Sequence, residues 1–463
     1  MSTSQSCGSP CSFQYALKKK AGLLVSPYPD LLSSAAGPPS DLQVLEICSE
    51  IARVESDIST TNTHIARLQG AMERLVRYRA ELEDFVKSHR TVISVLRRLP
   101  SEILLEIFEH CVDPLIPLDP RCNAPWIISQ VCSRWRAVAL SSPLLWRHFV
   151  LVDWRDGNPQ SQLRRLSELQ LERARHAPLS IRFTLQRTID VLELFLAVSA
   201  QWEDAALALS PEGFRHFFDH GGKFWALKRL SLSSWEPIPD THSVDLRESF
   251  PVLQDLKLEL YNEDFPRRLL LPWSQLRTCA LSDIHSVELL WIASQLSPGS
   301  EVSAFGGANI DNVRSTSQTR SLIGSLTLTQ CGEVFVSDVL DTLVASALEI
   351  LVVGNFSGDD LTQYITHFLN QSACALTCLR IDTHIPEDDL VPFLQLPHTR
   401  SIVHLDLSGT LISTRGIATL ASNLLHLRTL VLRGGLELHE PLLTALARHR
   451  PSHVGELELI LAP

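Results

Sequence analysis

The chain has 463 residues, 45% hydrophobic and 20% charged, so most of it can bury a core and it is not disordered as a whole. Its 41 Lys and Arg stand against 52 Asp and Glu, a formal charge of −11. That argues against a general nucleic-acid binder, which neutralises phosphates with clustered positive charge. No apolar run approaches the ~18–20 residues that span a bilayer, which argues against a membrane protein.

Residues 1–40 are rich in Ser, Pro and Gly, and Pro27, Pro29, Pro38 and Pro39 break any helix that starts there. This stretch reads as a disordered arm. Its lysines Lys18, Lys19 and Lys20 are followed only by the short apolar patch Ala21 to Val25, which is wrong for a secretion signal. The ten cysteines are scattered, and the closest pairs, Cys7/Cys11 and Cys374/Cys378, lack partner pairs at zinc-site distance. They read as reduced thiols of a cytoplasmic or nuclear protein.

From Asp41 to Arg98 proline disappears and apolar residues recur at alternating steps of three and four. With Val44, Ile51, Ile58, Ile65, Met72, Arg79, Val86 and Ile93 at position a, position d is Ile47, Val54, Thr61, Leu68, Leu75, Leu82 and His89. Twelve of these 15 seam positions are apolar. The spacing predicts a coiled coil, a rod of roughly 85 Å at 1.5 Å per residue. Ile and Val at early a positions with Leu at later d positions favour two strands in parallel assemblies. Arg79 is costly in the seam unless it reaches a carboxylate such as Glu83. Ser59 to Thr63 and Gly70 weaken the helix, so two readings stay open: a homodimer, or a hairpin or docking within the chain.

The next stretch begins Leu99-Pro100-Ser101-Glu102-Ile103-Leu104-Leu105-Glu106-Ile107-Phe108. Pro100 is expected at the first helical position, with Ile103, Leu104, Ile107 and Phe108 on one face. After a proline-rich loop, Val131, Trp135, Val138 and Ala139 are expected on one face of a second helix. Pro143 starts a third that ends at Trp146. Three short helices in about 50 residues need a neighbour to complete their core.

These residues resemble an F-box. The opening Leu-Pro-x-Glu-Ile-Leu-x-x-Ile-Phe, the run Val131-Cys132-Ser133-Arg134-Trp135-Arg136 and the closing Leu145-Trp146 are most similar to fungal F-box proteins whose box is preceded by a helix. The resemblance implies docking on a Skp-type adaptor and, through it, on a cullin–RING ubiquitin ligase. The residues it assigns to adaptor binding are Leu99, Pro100, Ile103, Leu104, Ile107, Phe108, Val131, Trp135 and Trp146. One departure is the loop Val112 to Pro125, longer than the common form and expected to shift the second helix relative to the first.

Beyond residue 175 a Leu-x-x-Leu-x-Leu element repeats. Clear copies are Leu227/Leu230/Leu232, Leu253/Leu256/Leu258, Leu276/Cys279/Leu281, Ile323/Leu326/Leu328, Leu348/Leu351/Val353, Leu376/Leu379/Ile381, Ile402/Leu405/Leu407 and Leu427/Leu430/Leu432. The series extends to Val454/Leu457/Leu459, with weaker copies at Pro178/Ile181/Phe183, Asp204/Leu207/Leu209 and Val302/Phe305/Gly307. Starts separated by 21 to 28 residues fall in the leucine-rich-repeat range. The last two positions of each copy point to one side of a short strand, and stacked units share a core no single unit could build. The Asn that usually follows the strand is largely missing, with Cys331 and Thr410 as stand-ins, which predicts an irregular solenoid.

No phosphate-binding glycine loop or nucleophile elbow is present. His216 and His220 lack the Glu of a zinc-protease helix, and Asp359-Asp360 and Glu387-Asp388-Asp389 read as solvated or capping charges. Neither cofactor nor catalytic activity is expected. The expected fold is α/β: an arm (1–40), a long helix or coiled coil (41–98), a three-helix F-box (99–150) and an irregular leucine-rich-repeat-like solenoid of short parallel strands and helices (151–463). The expected role is substrate recognition in a Skp–cullin–F-box type ubiquitin ligase, the solenoid holding a protein substrate. The alternative is a non-degradative coiled-coil scaffold. Exposed strand-side residues such as Arg229, Ser231, Lys257, Glu259, Arg380, Asp382, Asp406 and Arg433 carry mixed charge and select no partner.

Overall fold

The computed structural model describes residues 26–32, 37–152, 160–185, 189–234, 236–237, 244–260, 265–307, 317–356, 358, 360–410, 412–424, 426–433 and 458–462. Lys18 to Lys20, Cys7, Cys11, Asp359, Val454 and Leu457 lie outside these residues. Two units are formed, Met1–Leu99 and Pro100–Pro463.

The first unit is dominated by one helix, α1, Asp41–Val92. It starts with a capping box: Gln43 N–H donates to Ser40 Oγ (3.4 Å) and Ser40 N–H donates to Gln43 Oε1 (2.9 Å). Its 52 residues make a rod of about 78 Å. The helix stops short of the expected Arg98. Ile93 is its C-cap, and a separate turn, Val95–Arg98, follows Ser94.

Within α1 the hairpin reading fails, because the helix runs unbroken through Ser59 to Gly70. Thr60, Thr61 and Thr63 turn their hydroxyls back onto the carbonyls of Ser56, Asp57 and Ser59 at 2.8–3.0 Å. Their polar groups are satisfied without breaking the helix. Arg79 Nε lies 3.5 Å from Glu83 Oε1. No residue of α1 is buried, and its apolar seam is solvent-exposed apart from Ile47 and Val54, which are half-buried.

The second unit opens with α2 (Ser101–Cys111), α3 (Ala124–Val131), α4 (Ser133–Ser141) and a 3-10 turn, Pro143–Trp146. The expectation of three helices needs one correction: α3 occupies the end of the proline-rich loop. Val131 is the last residue of α3, not a member of the helix that carries Trp135. Pro100 is the N-cap of α2, one residue outside the expected position, and its carbonyl accepts from Leu104 N–H (3.1 Å).

The rest is a parallel sheet of 13 strands in sequence order. Its strands are β1 (His148–Val152), β2 (Leu179–Leu185), β3 (Trp202–Leu209), β4 (Arg229–Ser234), β5 (Asp255–Leu260), β6 (Thr278–Ser282) and β7 (Glu301–Phe305). They continue as β8 (Ser325–Thr329), β9 (Ile350–Gly354), β10 (Cys378–Asp382), β11 (His404–Leu407), β12 (Thr429–Arg433) and β13 (Glu458–Ala462). Returning helices include Pro211–Asp219, Ser286–Gln295, Glu333–Thr342, Leu361–Ser372 and Thr414–Asn423. Each neighbouring strand pair is parallel, the order of a solenoid.

Every predicted repeat among the described residues falls on a strand, and the Leu positions of the eight clear copies are buried. Two weak copies and the last copy of the main series are out of register. Ala205 and Leu207 pair with Leu230 and Leu232, which puts Trp202 in the place of Leu227. Val302 and Ala304 pair with Leu326 and Leu328, leaving Phe305 on the open face. In β13, Leu459 and Leu461 face Leu430 and Leu432, two residues beyond the expected copy. The first two slips have one cause: alanine or tryptophan fills a position the leucine pattern needed.

The missing Asn is replaced by backbone. Asp283, Gly306, Gln330 and Asn355, each just after a strand, have φ of 52–69°. Their N–H groups donate to Phe305, Thr329, Gly354 and Asp382 carbonyls at 2.9–3.1 Å, adding a rung to each ladder. Cys331 and Thr410 bridge turns as anticipated. Cys331 Sγ contacts Ala304 and Thr329 carbonyls (3.7 and 3.4 Å). Thr410 Oγ1 donates to Thr383 O (3.0 Å) and accepts from Ile385 N–H (3.1 Å).

Between β4 and β6 the described connections hold no helix longer than one turn, and short pairs such as Val244–Asp245 with Leu269–Leu270 take its place. Among the described residues the connection between β7 and β8 also holds no helix, and Thr319–Ser321 there pairs with Leu343–Ala345. Among the described residues no helix is long and apolar enough to cross a membrane.

The thiols divide by burial. Cys279, Cys331 and Cys374 are buried, and burial pushes the Cys279 thiol up to about 12, so it carries no nucleophilic thiolate. Cys48, Cys111, Cys122 and Cys132 are exposed. Brief maleimide treatment of the native chain, read by peptide mass spectrometry, is expected to label these four. Cys279, Cys331 and Cys374 should react only in denaturant. Equal native labelling of Cys279 and Cys132 would contradict the packing.

Candidate functional site

The helices α2, α3 and α4 divide their apolar residues between an inside and an outside. On α2 the four residues expected on one face split into two pairs spaced by four. Leu104 and Phe108 are 1% exposed and form core, whereas Ile103 and Ile107 are each 42% exposed. The neighbouring α3 repeats the device, with Ile127 at 43% and Val131 at 56%. In the 3-10 turn, Leu145 and Trp146 point in and Leu144, at 48%, points out.

The sequence motifs acquire physical roles here. Cys132 is the N-cap of α4, and its Sγ accepts from Trp135 N–H (3.5 Å), which explains the Cys-x-x-Trp spacing. The Trp135 ring is half-buried and lies 5.0 Å from Phe108 between ring centroids. Trp146 donates its indole N–H to Ala139 O (2.9 Å) and meets Trp126 edge-on at 5.6 Å. Leu99 is half-buried and Pro100 exposed. Of the nine residues assigned in advance, Ile103, Ile107 and Val131 thus lie outward on two adjacent helices. Leu104, Phe108 and Trp146 hold the core behind them.

Residues 96–152 match the F-box-like family. This segment is an F-box-like domain. No curated protein matches the chain.

The F-box-like domain is fused to the solenoid. Helix α5 (Gln160–Ala174) packs on the Pro143–Trp146 turn. Its buried Gln170 accepts from Trp126 Nε1 (2.8 Å) and donates to Trp146 O (3.2 Å) and His148 O (2.8 Å). The Arg173 guanidinium lies over both Trp126 (4.2 Å) and Trp146 (4.4 Å). These contacts were missed in the sequence: Trp126 reads as loop, and Gln170 and Arg173 belong to no motif. Burial, reinforced by Arg147, holds the His148 imidazole below its usual pKa.

The long loop turns back onto the solenoid. Leu118 is buried and donates its N–H to Val150 O in β1 (2.9 Å).

The open face of the sheet is charge-balanced. Arg229 pairs with Asp204 (3.2 Å), Lys257 with Glu259 (3.5 Å) and Arg380 with Asp406 (3.0 Å). Ser231 is half-buried and Asp382 exposed; the Arg433 side chain lies outside the described residues. Glu387 begins the helix Glu387–Leu394 and accepts from Gly416 N–H (2.8 Å) and the Ser413 hydroxyl, which holds its carboxyl below the usual range. It acts as a cap between neighbouring repeats.

Proposed function

We propose that this chain is a substrate-recognition subunit of a Skp–cullin–F-box type ubiquitin ligase, of the fungal type with a leucine-rich-repeat-like solenoid. The F-box-like domain binds a Skp-type adaptor, and through it a cullin–RING ligase, while the solenoid holds a protein substrate. The observation that carries this reading is the exposure of two apolar i, i+4 pairs, Ile103/Ile107 and Ile127/Val131, on adjacent helices of an F-box-like domain. Such pairs gain by being desolvated against a partner. The chain contributes proximity, raising the effective concentration of substrate lysines near the charged enzyme. It therefore requires no cofactor or nucleophile, and acts in the cytoplasm or nucleus.

The test is co-expression with a Skp-type adaptor and size-exclusion chromatography. Wild type is expected to co-elute with the adaptor. Ile107→Asp is expected to weaken binding by at least about thirtyfold, as at an interface hot spot, while keeping wild-type circular dichroism because the side chain is already exposed. A folded wild type that fails to bind the adaptor overturns the reading. Binding without ubiquitination of any co-purified protein supports the scaffold instead.

A further inference from the structure

We propose that α1 pairs with α1 of a second copy in antiparallel orientation over its whole length. The helix carries an apolar seam for seven heptads, and none of its residues is buried. The turn Pro29–Leu32 lies beside the start of the seam, with the Tyr28 hydroxyl on Glu46, but it leaves Ile51 52% exposed. A repeat of this length is more than a helix needs to dock on one side.

The direction follows from register. When two copies of Asp41–Val92 are laid antiparallel with full overlap, positions a and d fall level without any adjustment. Ile47 faces Val86 of the second copy, Ile51 faces Leu82, Ile58 faces Leu75 and Ile65 faces Leu68. The three non-apolar seam residues each meet an apolar one: His89 with Val44, Arg79 with Val54, and Thr61 with Met72. Laid parallel in register, Arg79 faces Arg79 and His89 faces His89. Glu50 at position g then flanks Glu55 at position e, a second like-charge contact.

Charge points the same way. The half from Asp41 to Ala66 carries five carboxylates against one Arg, and the half from Arg67 to Val92 carries six Lys and Arg against four carboxylates. Antiparallel pairing lays acidic half on basic half, and parallel pairing lays like on like. In this register Glu55 of the second copy, next to the Val54 that Arg79 faces, comes level with Tyr78, within one residue of Arg79.

The experiment is sedimentation equilibrium on the full chain, with Arg79→Glu, Glu55→Arg and the double variant beside wild type. Wild type is expected to be dimeric at micromolar concentration. Each single change should weaken the dimer about fivefold, and the double variant should return within about twofold of wild type. Both positions are solvent-facing on α1, and unchanged helical circular dichroism confirms that folding is intact. A monomeric wild type overturns the proposal. So does a dimer that Glu55→Arg alone tightens, since that variant relieves the Glu50–Glu55 repulsion of the parallel arrangement. Neither readout involves the adaptor, so the outcome is independent of the ligase reading.

Discussion

Trp146→Ala is expected to destabilise the second unit by about 3–5 kcal/mol, the range for removing a large buried aromatic from a core that cannot collapse around the gap. The indole is fully buried. It fills the space between Trp126 and Arg173 and donates to Ala139 O, so the substitution opens a cavity and also orphans a buried carbonyl. Relaxation is limited on both sides. The chain before Trp146 is tied by α4, and the chain after it enters β1 within two residues. Urea unfolding followed by far-ultraviolet circular dichroism measures the loss. Trp225→Ala, at an exposed tryptophan, is the control and should stay within about 0.5 kcal/mol of wild type. A Trp146→Ala effect below 1 kcal/mol would mean that the box and solenoid do not share a core.

The second large effect belongs to a glycine chosen for space. A Cβ on Gly409 would lie 2.2 Å from Thr383 N and 2.6 Å from Thr383 O, both backbone atoms that cannot rotate away. The close approach lets the adjacent Thr410 bridge Thr383 and Ile385. Gly409→Ala must push neighbouring turns apart and lose both bonds. The cost is about 3 kcal/mol or more, at the upper end for overpacking. Hydrogen exchange provides a local readout: the Ile385 amide, which donates to Thr410, should lose protection in the variant. Gly37→Ala, where a Cβ meets nothing within 4 Å, should leave exchange and stability unchanged.

The sequence legibly encodes the solenoid because its leucines do one job: each fills the same place in successive turns, so period and burial coincide. Legibility fails where another residue does that job, as with Ala205, Ala304 and Trp202. It also fails where backbone replaces a side chain. The rungs at Asp283, Gly306, Gln330 and Asn355 depend on φ, and Gln330 gives no compositional hint of a left-handed turn. In the F-box-like domain the apolar residues are readily seen, but their sorting is not. Ile103, Leu104, Ile107 and Phe108 form one broad stripe, and the position of Trp135 beside Phe108 decides which pair turns inward. The Trp126–Gln170 bond spans 44 residues, beyond any local pattern.

The long loop before α3 has a consequence for solubility. A parallel sheet of this kind ends in strands whose outer backbone groups invite pairing with other chains. At β1 the loop lays Leu118 across that margin and takes up the Val150 carbonyl. The loop between α2 and α3 therefore seals part of an aggregation-prone border. A solenoid cut free of its box, or a box with that loop deleted, would expose that border and tend to stack edge to edge.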